Sequence, residues 1–308
     1  MAEDPDVFLM GQDIAAFGGA FKVTRGLVEE FGEDRVLNTP IAEAGMIGIA
    51  AGAALLGRRP VVEMQFSDFV SCGFNPLVNV AAKFYYRTGF KVPLVIRLPS
   101  GGGVGAGPFH SQSLEATFLH VPGLKVVAPA WPEDAYLLLR EAVRDPNPVL
   151  FFEDKLSYNT VHGVVPQGDY VVPIGKANIQ RDGTQLSLIS YGLSMFHCLE
   201  AAKTLSSEGI SCEVVDLRTV KPLDLTTILE SVRKTGRACI VHEDNLTGGI
   251  GAEVAAIIAK DGFDYLDAPV HRVASADVPS FPYSPGLEDA LLPGPADILR
   301  AARELCAY

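Results

Sequence analysis

VPLVIRLP, residues Val92–Pro99, is a short β-branched run that leads straight into a glycine cluster at Gly101. Three more runs share its character: PVVEMQF (Pro60–Phe66), LKVVAP (Leu124–Pro129) and PVLFFE (Pro148–Glu153). Each is bounded by Pro or Gly, the mark of strands buried on both faces. Helix candidates alternate with them at Glu43–Leu56, Leu77–Thr88, Leu114–His120 and Pro132–Arg144. In the last, Pro132 suits a first helical position, and Glu133 and Asp134 favour the positive end of the dipole. This alternation predicts a parallel sheet covered by helices. After a Gly/Pro-rich break the pattern resumes with LSLIS (Leu186–Ser190), CEVVDL (Cys212–Leu217), ACIVHE (Ala238–Glu243) and VHRVA (Val270–Ala274). Helices are expected at Met195–Ser207, Leu225–Lys234, Ala252–Lys260 and Ala296–Leu305, the last after a Pro-rich segment, Val278–Pro295, expected to wrap a surface. The fold class is α/β: two domains, each a mostly parallel sheet flanked by helices. The expected division is 1–160 for the first domain, 161–175 for a linker and 176–308 for the second.

With 25 Lys and Arg against 37 Asp and Glu, the formal charge is −12, and no basic cluster exists to grip nucleic acid. Apolar residues at 48% against 20% charged exclude general disorder. The five cysteines show no zinc-type spacing and read as buried small apolar residues in a reducing compartment. The start, MAEDPDVFLM, has neither a basic n-region nor an apolar h-region, and it is not Arg-rich and Ser-rich. The most apolar stretch, Met46–Leu56, is far short of the roughly 20 residues that span a bilayer. A soluble cytoplasmic protein is the expectation.

Gly101–Gly107, GGGVGAG, follows a strand but fits only a degenerate dinucleotide fingerprint: Pro108 interrupts the helix that should start there, and no acidic residue follows at the right distance. A flexible active-site loop is the better reading. Just beyond it, His110 in HSQS is placed to carry an acid/base group to a reacting centre. Gly248, Gly249 and Gly251 open another helix, where an anion site and a tight, close-packed turn both remain open. His242, in HEDN at a strand's C-terminal end, stands where α/β sheets place ligand contacts, or is a packed imidazole. Glu43 heads a helix of almost only small and apolar residues. It is a first-turn carboxylate favoured by the dipole, or a group whose desolvation keeps it protonated as a hydrogen-bond donor.

In combination the residues resemble a known family. GQDIAAFGGAFKVTRGL (Gly11–Leu27), NTPIAEAGMIGIAAG (Asn38–Gly52), PVVEMQFSDF (Pro60–Phe69), NVAAKFYYRTG (Asn79–Gly89), VPLVIRLPSGGGVGAGPFHSQS (Val92–Ser113), HVPGLKVVAP (His120–Pro129), AVRDPNPVLFFE (Ala142–Glu153) and DVPSFPYSPGLEDALLP (Asp277–Pro293) carry the likeness over nearly the whole chain. They resemble the β subunit of the decarboxylating dehydrogenase component of 2-oxo acid dehydrogenase complexes: pyruvate, branched-chain 2-oxo acid and acetoin dehydrogenases.

The resemblance implies a transketolase-like pyrimidine-binding domain followed by a transketolase C-terminal domain, with thiamine diphosphate held between α and β subunits in a heterotetramer of two of each. Glu43 matches the glutamate that hydrogen-bonds the aminopyrimidine ring; Gln65 and Phe69 match residues lining that pocket, Phe69 by stacking. His110 matches the loop histidine linked to proton transfer and to acylation of a lipoyl group on the acyltransferase core. Leu94, Ala142, Val143, Asp145 and Asn147 match positions that hold a structural potassium ion, and a plain helix-ending turn competes with that reading. The Mg2+–diphosphate motif G-D-G is missing, since Gly168-Asp169 continues with Tyr170 and Asp182-Gly183 is preceded by Arg181. The magnesium ligands are therefore expected on the α subunit. Two departures from the family stand out: similarity starts at Asp4 without the usual additional N-terminal helix, and Gln12 replaces a common Glu. The implied activity is oxidative decarboxylation of a 2-oxo acid with acyl transfer to lipoyl; acetoin cleavage and a non-catalytic, degenerate cofactor-binding subunit are the alternatives.

Overall fold

A computed structural model describes every residue except Gln167 and Asp169, so part of the expected linker lies outside the described residues. The first half supplies strands β1 (Val7–Gly11), β2 (Val36–Asn38), β3 (Arg59–Glu63), β4 (Val95–Ser100), β5 (Lys125–Val127) and β6 (Val149–Asp154). Helices α1 (Leu27–Phe31), α2 (Glu43–Leu55), α3 (Ala82–Thr88), α4 (Glu115–Leu119), α5 (Pro132–Arg144) and α6 (Ser157–Thr160) lie among them. The second half supplies β7 (Asn178–Arg181), β8 (Leu186–Ser190), β9 (Cys212–Asp216), β10 (Thr219–Lys221), β11 (Ala238–Asn245) and β12 (His271–Ser275). Its helices are α7 (Ser194–Ser207), α8 (Leu225–Thr235), α9 (Ile250–Asp261), α10 (Pro285–Asp289) and α11 (Pro295–Cys306).

The strands form two sheets, ordered β10-β5-β6-β4-β3-β1-β2 and β12-β11-β8-β9-β7. All pairs are parallel except β10 with β5 and β7 with β9. Strand alternation sorts the first sheet's side chains to two faces. Phe8, Met10, Val62, Ile96, Leu150 and Phe152 meet Met46 and Ile47 of α2 on one side. Val7, Leu9, Val61, Val95, Val149 and Phe151 meet Leu138 and Ala142 of α5 on the other. Both faces are buried, which is why these runs are continuously apolar rather than alternating. The second sheet packs Leu186, Leu188, Val214 and Val241 against α7 and α11. Its opposite face, with Ile189, Val215 and Ile240, joins the same core cluster as Phe118 and Phe152 of the first half. One continuous core therefore crosses between the sheets.

The strands and helices expected from sequence appear close to the expected positions, with three corrections. The stretch expected as a helix from Leu77 opens as a π-helical turn, Pro76–Ala81, before α3. The Pro-rich C-terminal stretch contains α10, with Pro285 in its first turn. Among the cysteines, Cys198, Cys212 and Cys239 are buried, but Cys72 is exposed and Cys306 half-buried. No helix among the described residues is long and apolar enough to cross a membrane.

Arg97, midway along β4, is buried between Glu63 at the end of β3 and Glu153 near the end of β6, reaching Glu153 at 2.6 Å, and Tyr158 donates to the same Glu153 oxygen at 2.7 Å. Burial pushes the Glu63 carboxyl above its usual range against the opposing pull of Arg97. Gly19, with φ +78 to +79 at Gly18–Gly19, admits this cluster: a methyl group there would stand 2.6 Å from Glu63 Oε1.

Candidate active site

Helix α2 begins at Glu43 with no side-chain cap. The Glu43 side chain is buried, 9% exposed, and among the described residues its carboxyl group accepts no hydrogen bond and joins no ion pair. A 3-10 turn, Ser67–Gly73, lies across the head of this helix. Gly73 makes the contact possible, because a methyl group there would fall 2.3 Å from Ile47 Cδ1 and 3.4 Å from the Glu43 carbonyl oxygen.

The same turn carries Phe69, and Phe66 immediately precedes it. The His110 ring stands edge-on to both, with centroids 4.6 Å from Phe66 and 5.5 Å from Phe69. The two phenyl rings are themselves perpendicular at 6.0 Å. The Gln65 amide donates to Asp13 Oδ2 at 2.9 Å, tying the end of β3 to the loop after β1. The structure thus brings Phe69 and His110 together and sets Glu43 under the turn that holds Phe69. Phe66 belongs to the cluster and was not singled out from sequence.

His110 arrives on the glycine loop, which is held rather than loose. Its start is fixed by the Gly101 N–H on the Gln112 carbonyl (3.2 Å) and by Lys155 Nζ on the Gly101 carbonyl. Its far end is fixed by the Gln112 N–H on Asp68 (3.2 Å) and the Ser67 hydroxyl on the Gln112 carbonyl (3.1 Å). Between them, Glu243 accepts from the Gly102 N–H (2.6 Å) and the Ser113 hydroxyl (3.1 Å), and Glu288 accepts from the N–H groups of Gly103 (3.0 Å) and Gly105 (2.8 Å). The expectation of a flexible loop gives way to a clamped one, because carboxylates from the second half occupy its backbone donors.

Beneath the loop, Ser100, Glu115, Asp154, Tyr191 and Glu243 line a cavity of about 30 Å3 between the two sheets. Burial pushes the Glu115 carboxyl up to about 8, reinforced by the charge of Asp244. Burial and then the charge of Glu243 push Asp154 up to about 7. Burial likewise raises Glu243 and lowers the Lys155 ammonium against the pull of Asp68 and Asp154. His242 is not part of this group. It faces the other side of β11, fully buried under α9, and burial lowers its imidazole to about 4. Gly249 and Gly251 give it room: methyl groups there would stand 2.5 Å and 2.7 Å from its ring. That contact decides the α9 glycines as a close-packed turn.

The remaining residues singled out from sequence lie at the end of α5 (Ala142, Val143), in the turn after it (Asp145, Asn147) and just before β4 (Leu94). The Leu94 carbonyl accepts from Val149 N–H (2.9 Å), the Ala142 carbonyl from Asp145 N–H (3.2 Å) and the Val143 carbonyl from Arg59 (2.7 Å). The Asp145 carboxylate accepts from Asn147 N–H (2.9 Å) and pairs with Lys125. These are hard oxygen donors, each carbonyl with a second lone pair, and so fit an alkali cation in kind. Among the described residues no group of three or more His, Cys, Asp or Glu side chains is placed to hold a metal ion.

Two α/β units, an apolar helix headed by a buried carboxyl group and a glycine loop clamped across the domain junction describe a transketolase-type chain. Residues 1–160 match the family described as Transketolase, pyrimidine binding domain, and residues 175–298 that described as Transketolase, C-terminal domain. The chain is 47% identical to the 2-oxoisovalerate dehydrogenase subunit beta of Bacillus subtilis (strain 168), over 100% of this chain and 95% of that one. It is 44% identical to the pyruvate dehydrogenase E1 component subunit beta of Rickettsia felis, over 100% and 94%, and 45% identical to the mitochondrial beta-2 subunit of Oryza sativa subsp. japonica, over 99% and 82%. The chain belongs to this family of 2-oxo acid dehydrogenase E1 β subunits. A solved structure titled as a split-gene transketolase, inactive β4 tetramer, shares the fold with a TM-score of 0.81 at 23% identity, covering 99% of this chain and 93% of that one.

Proposed function

We propose that this chain, joined to an α subunit, forms the thiamine diphosphate-dependent component that decarboxylates a 2-oxo acid and acylates a lipoyl group on an acyltransferase core. The cofactor, when bound, supplies the electron sink for the carbanion. Glu43 offers its carboxyl group to the aminopyrimidine ring nitrogen, Phe69 lines the ring's pocket with Gln65 at its edge, and His110 holds or delivers a proton at the reacting end. The magnesium–diphosphate half belongs to the α subunit. Leu94, Ala142, Val143, Asp145 and Asn147 hold a structural potassium ion, and the protein works in the cytoplasm. The domain division falls at 1–160 and 176–308, with 161–175 as the linker.

The observation that carries this reading is the state of α2. Glu43 is 9% exposed and its carboxyl has no partner among the described residues, while Ile41, Ile49 and Leu56 alongside it are 79%, 62% and 87% exposed. Gly48 and Gly52, on the same side, face open space. A helix apolar all round is normally buried, so an open face beside an unpartnered acid fits a site that a second chain completes.

The test is to purify the chain alone and with its α subunit, measure thiamine diphosphate binding, and assay pyruvate, branched 2-oxo acids and acetoin. Cofactor binding and 2-oxo acid turnover by the pair, with neither by the single chain, is the expected result. Unaided turnover by this chain, or no cofactor binding by the pair, overturns the reading. The relatives carry both pyruvate and 2-oxoisovalerate names, so the screen also selects the acyl chain.

A further inference from the structure

We propose that Glu288, with Glu243, positions His110 by gripping the backbone N–H groups of the glycine loop from the second domain. Gly101, Gly103, Gly105 and Gly107 all have positive φ, between +65° and +90°. Repeated left-handed turns aim successive backbone donors into one concavity, which is the geometry of an anion nest. Here the anions are the chain's own. The two Glu288 oxygens take Gly103 and Gly105 separately, and Glu243 Oε1 takes Gly102 and Ser113 together. Glu288 is 1% exposed, so its hydrogen bonds are shielded from water.

The glycines also explain themselves sterically. A methyl group at Gly101 would stand 2.5 Å from Asp154 Oδ2, and one at Gly107 would stand 2.3 Å from the Tyr283 ring. Tyr283 lies just before α10, the helix that carries Glu288, so one C-terminal segment touches the loop at both places. Beyond Gly107 the loop runs to exposed Phe109 and half-buried His110, whose ring leans on Phe66 and Phe69. The clamp therefore sets the height and direction from which His110 approaches those rings. Glu288 is a positioning residue, acting through the loop.

The functional half of this inference rests on the role given to His110 above; the clamp itself does not. Glu288→Gln keeps the shape of the side chain but removes the charge and turns one acceptor into a donor facing an N–H. In the full chain, hydrogen exchange over residues 101–113 should accelerate about tenfold or more at Gly103 and Gly105. In the assembled enzyme, lipoyl acylation should fall by about tenfold, and by a larger factor than decarboxylation read with an artificial acceptor, with the KM for the 2-oxo acid unchanged. Glu288→Asp, which keeps the charge, should recover part of both losses. Unchanged exchange in the Gln variant refutes the clamp, and a loosened loop with wild-type lipoyl acylation refutes the positioning role. If wild-type enzyme acylates no lipoyl group, the functional reading fails while the exchange result still decides the clamp. Should Glu288→Gln not fold, Glu243→Gln reads the same question at the Gly102 amide.

Discussion

Replacing Glu115 with Gln should stabilise the protein at alkaline pH and leave it progressively less changed as the pH falls. Glu115 is buried at the start of α4, with Oε1 accepting from the Ser100 hydroxyl at 2.9 Å and Oε2 without a partner among the described residues. Burial moves its ionisation from an ordinary 4.5 up to about 8. The folded state therefore holds this proton more tightly than the unfolded chain does. Its contribution to stability is full below the unfolded value and is lost as pH climbs toward 8, at about 1.4 kcal/mol per pH unit. Gln keeps an acceptor for Ser100 and has nothing to titrate. From pH 5 to pH 8 the variant should gain on the wild type by about 3 kcal/mol as an order of magnitude. Urea midpoints measured at constant ionic strength across that range would show two curves diverging with pH. Parallel curves would mean that Glu115 is not a desolvated acid in the folded protein, and the electrostatic account of the interdomain cavity would be wrong.

Glu43→Gln should cut turnover of the assembled enzyme by about a hundredfold or more without changing the circular dichroism spectrum; near-normal turnover would remove Glu43 from its assigned role. His110→Ala should impair lipoyl acylation more than decarboxylation followed with an artificial acceptor, and equal losses in the two assays would refute that division. Arg97→Met leaves Glu63 and Glu153 buried without their shared cation and should cost about 3–5 kcal/mol in denaturant unfolding. A loss below about 1 kcal/mol would show that the ion triad is not a buried structural element.

The central strands were legible because both faces of a parallel sheet are buried, so ACIVHE and PVLFFE carry unbroken apolar runs. Short edge or bridging strands gave no such signal. β10 has three residues, one of them the half-buried Lys221, and pairs with a strand more than ninety positions earlier in the sequence, so no local pattern announces it. Glu43 could be picked out because a lone acid heading an apolar helix is conspicuous. Glu288 could not: a glutamate in a Pro-rich segment looks like solvated surface until the chain closes on the glycine loop. In HEDN the visible choice was the histidine, whereas strand alternation turns His242 into the core and its neighbour Glu243 toward the loop. Close approach across the chain, rather than residue type, defines these partners.

β10 also constrains how such a protein can change. Although it comes from the second half, it pairs antiparallel with β5, the Ala128 N–H donates to the Arg218 carbonyl at 2.9 Å, and Arg218 pairs with Asp134 at 2.8 Å. Lys221 reaches further, to the Leu119 and Val121 carbonyls. The two halves are therefore not interchangeable parts joined at a tether. A recombinant that imports a foreign C-terminal portion inherits this stitching as well, and must match its donor strand to the recipient's sheet margin before any catalytic graft can work.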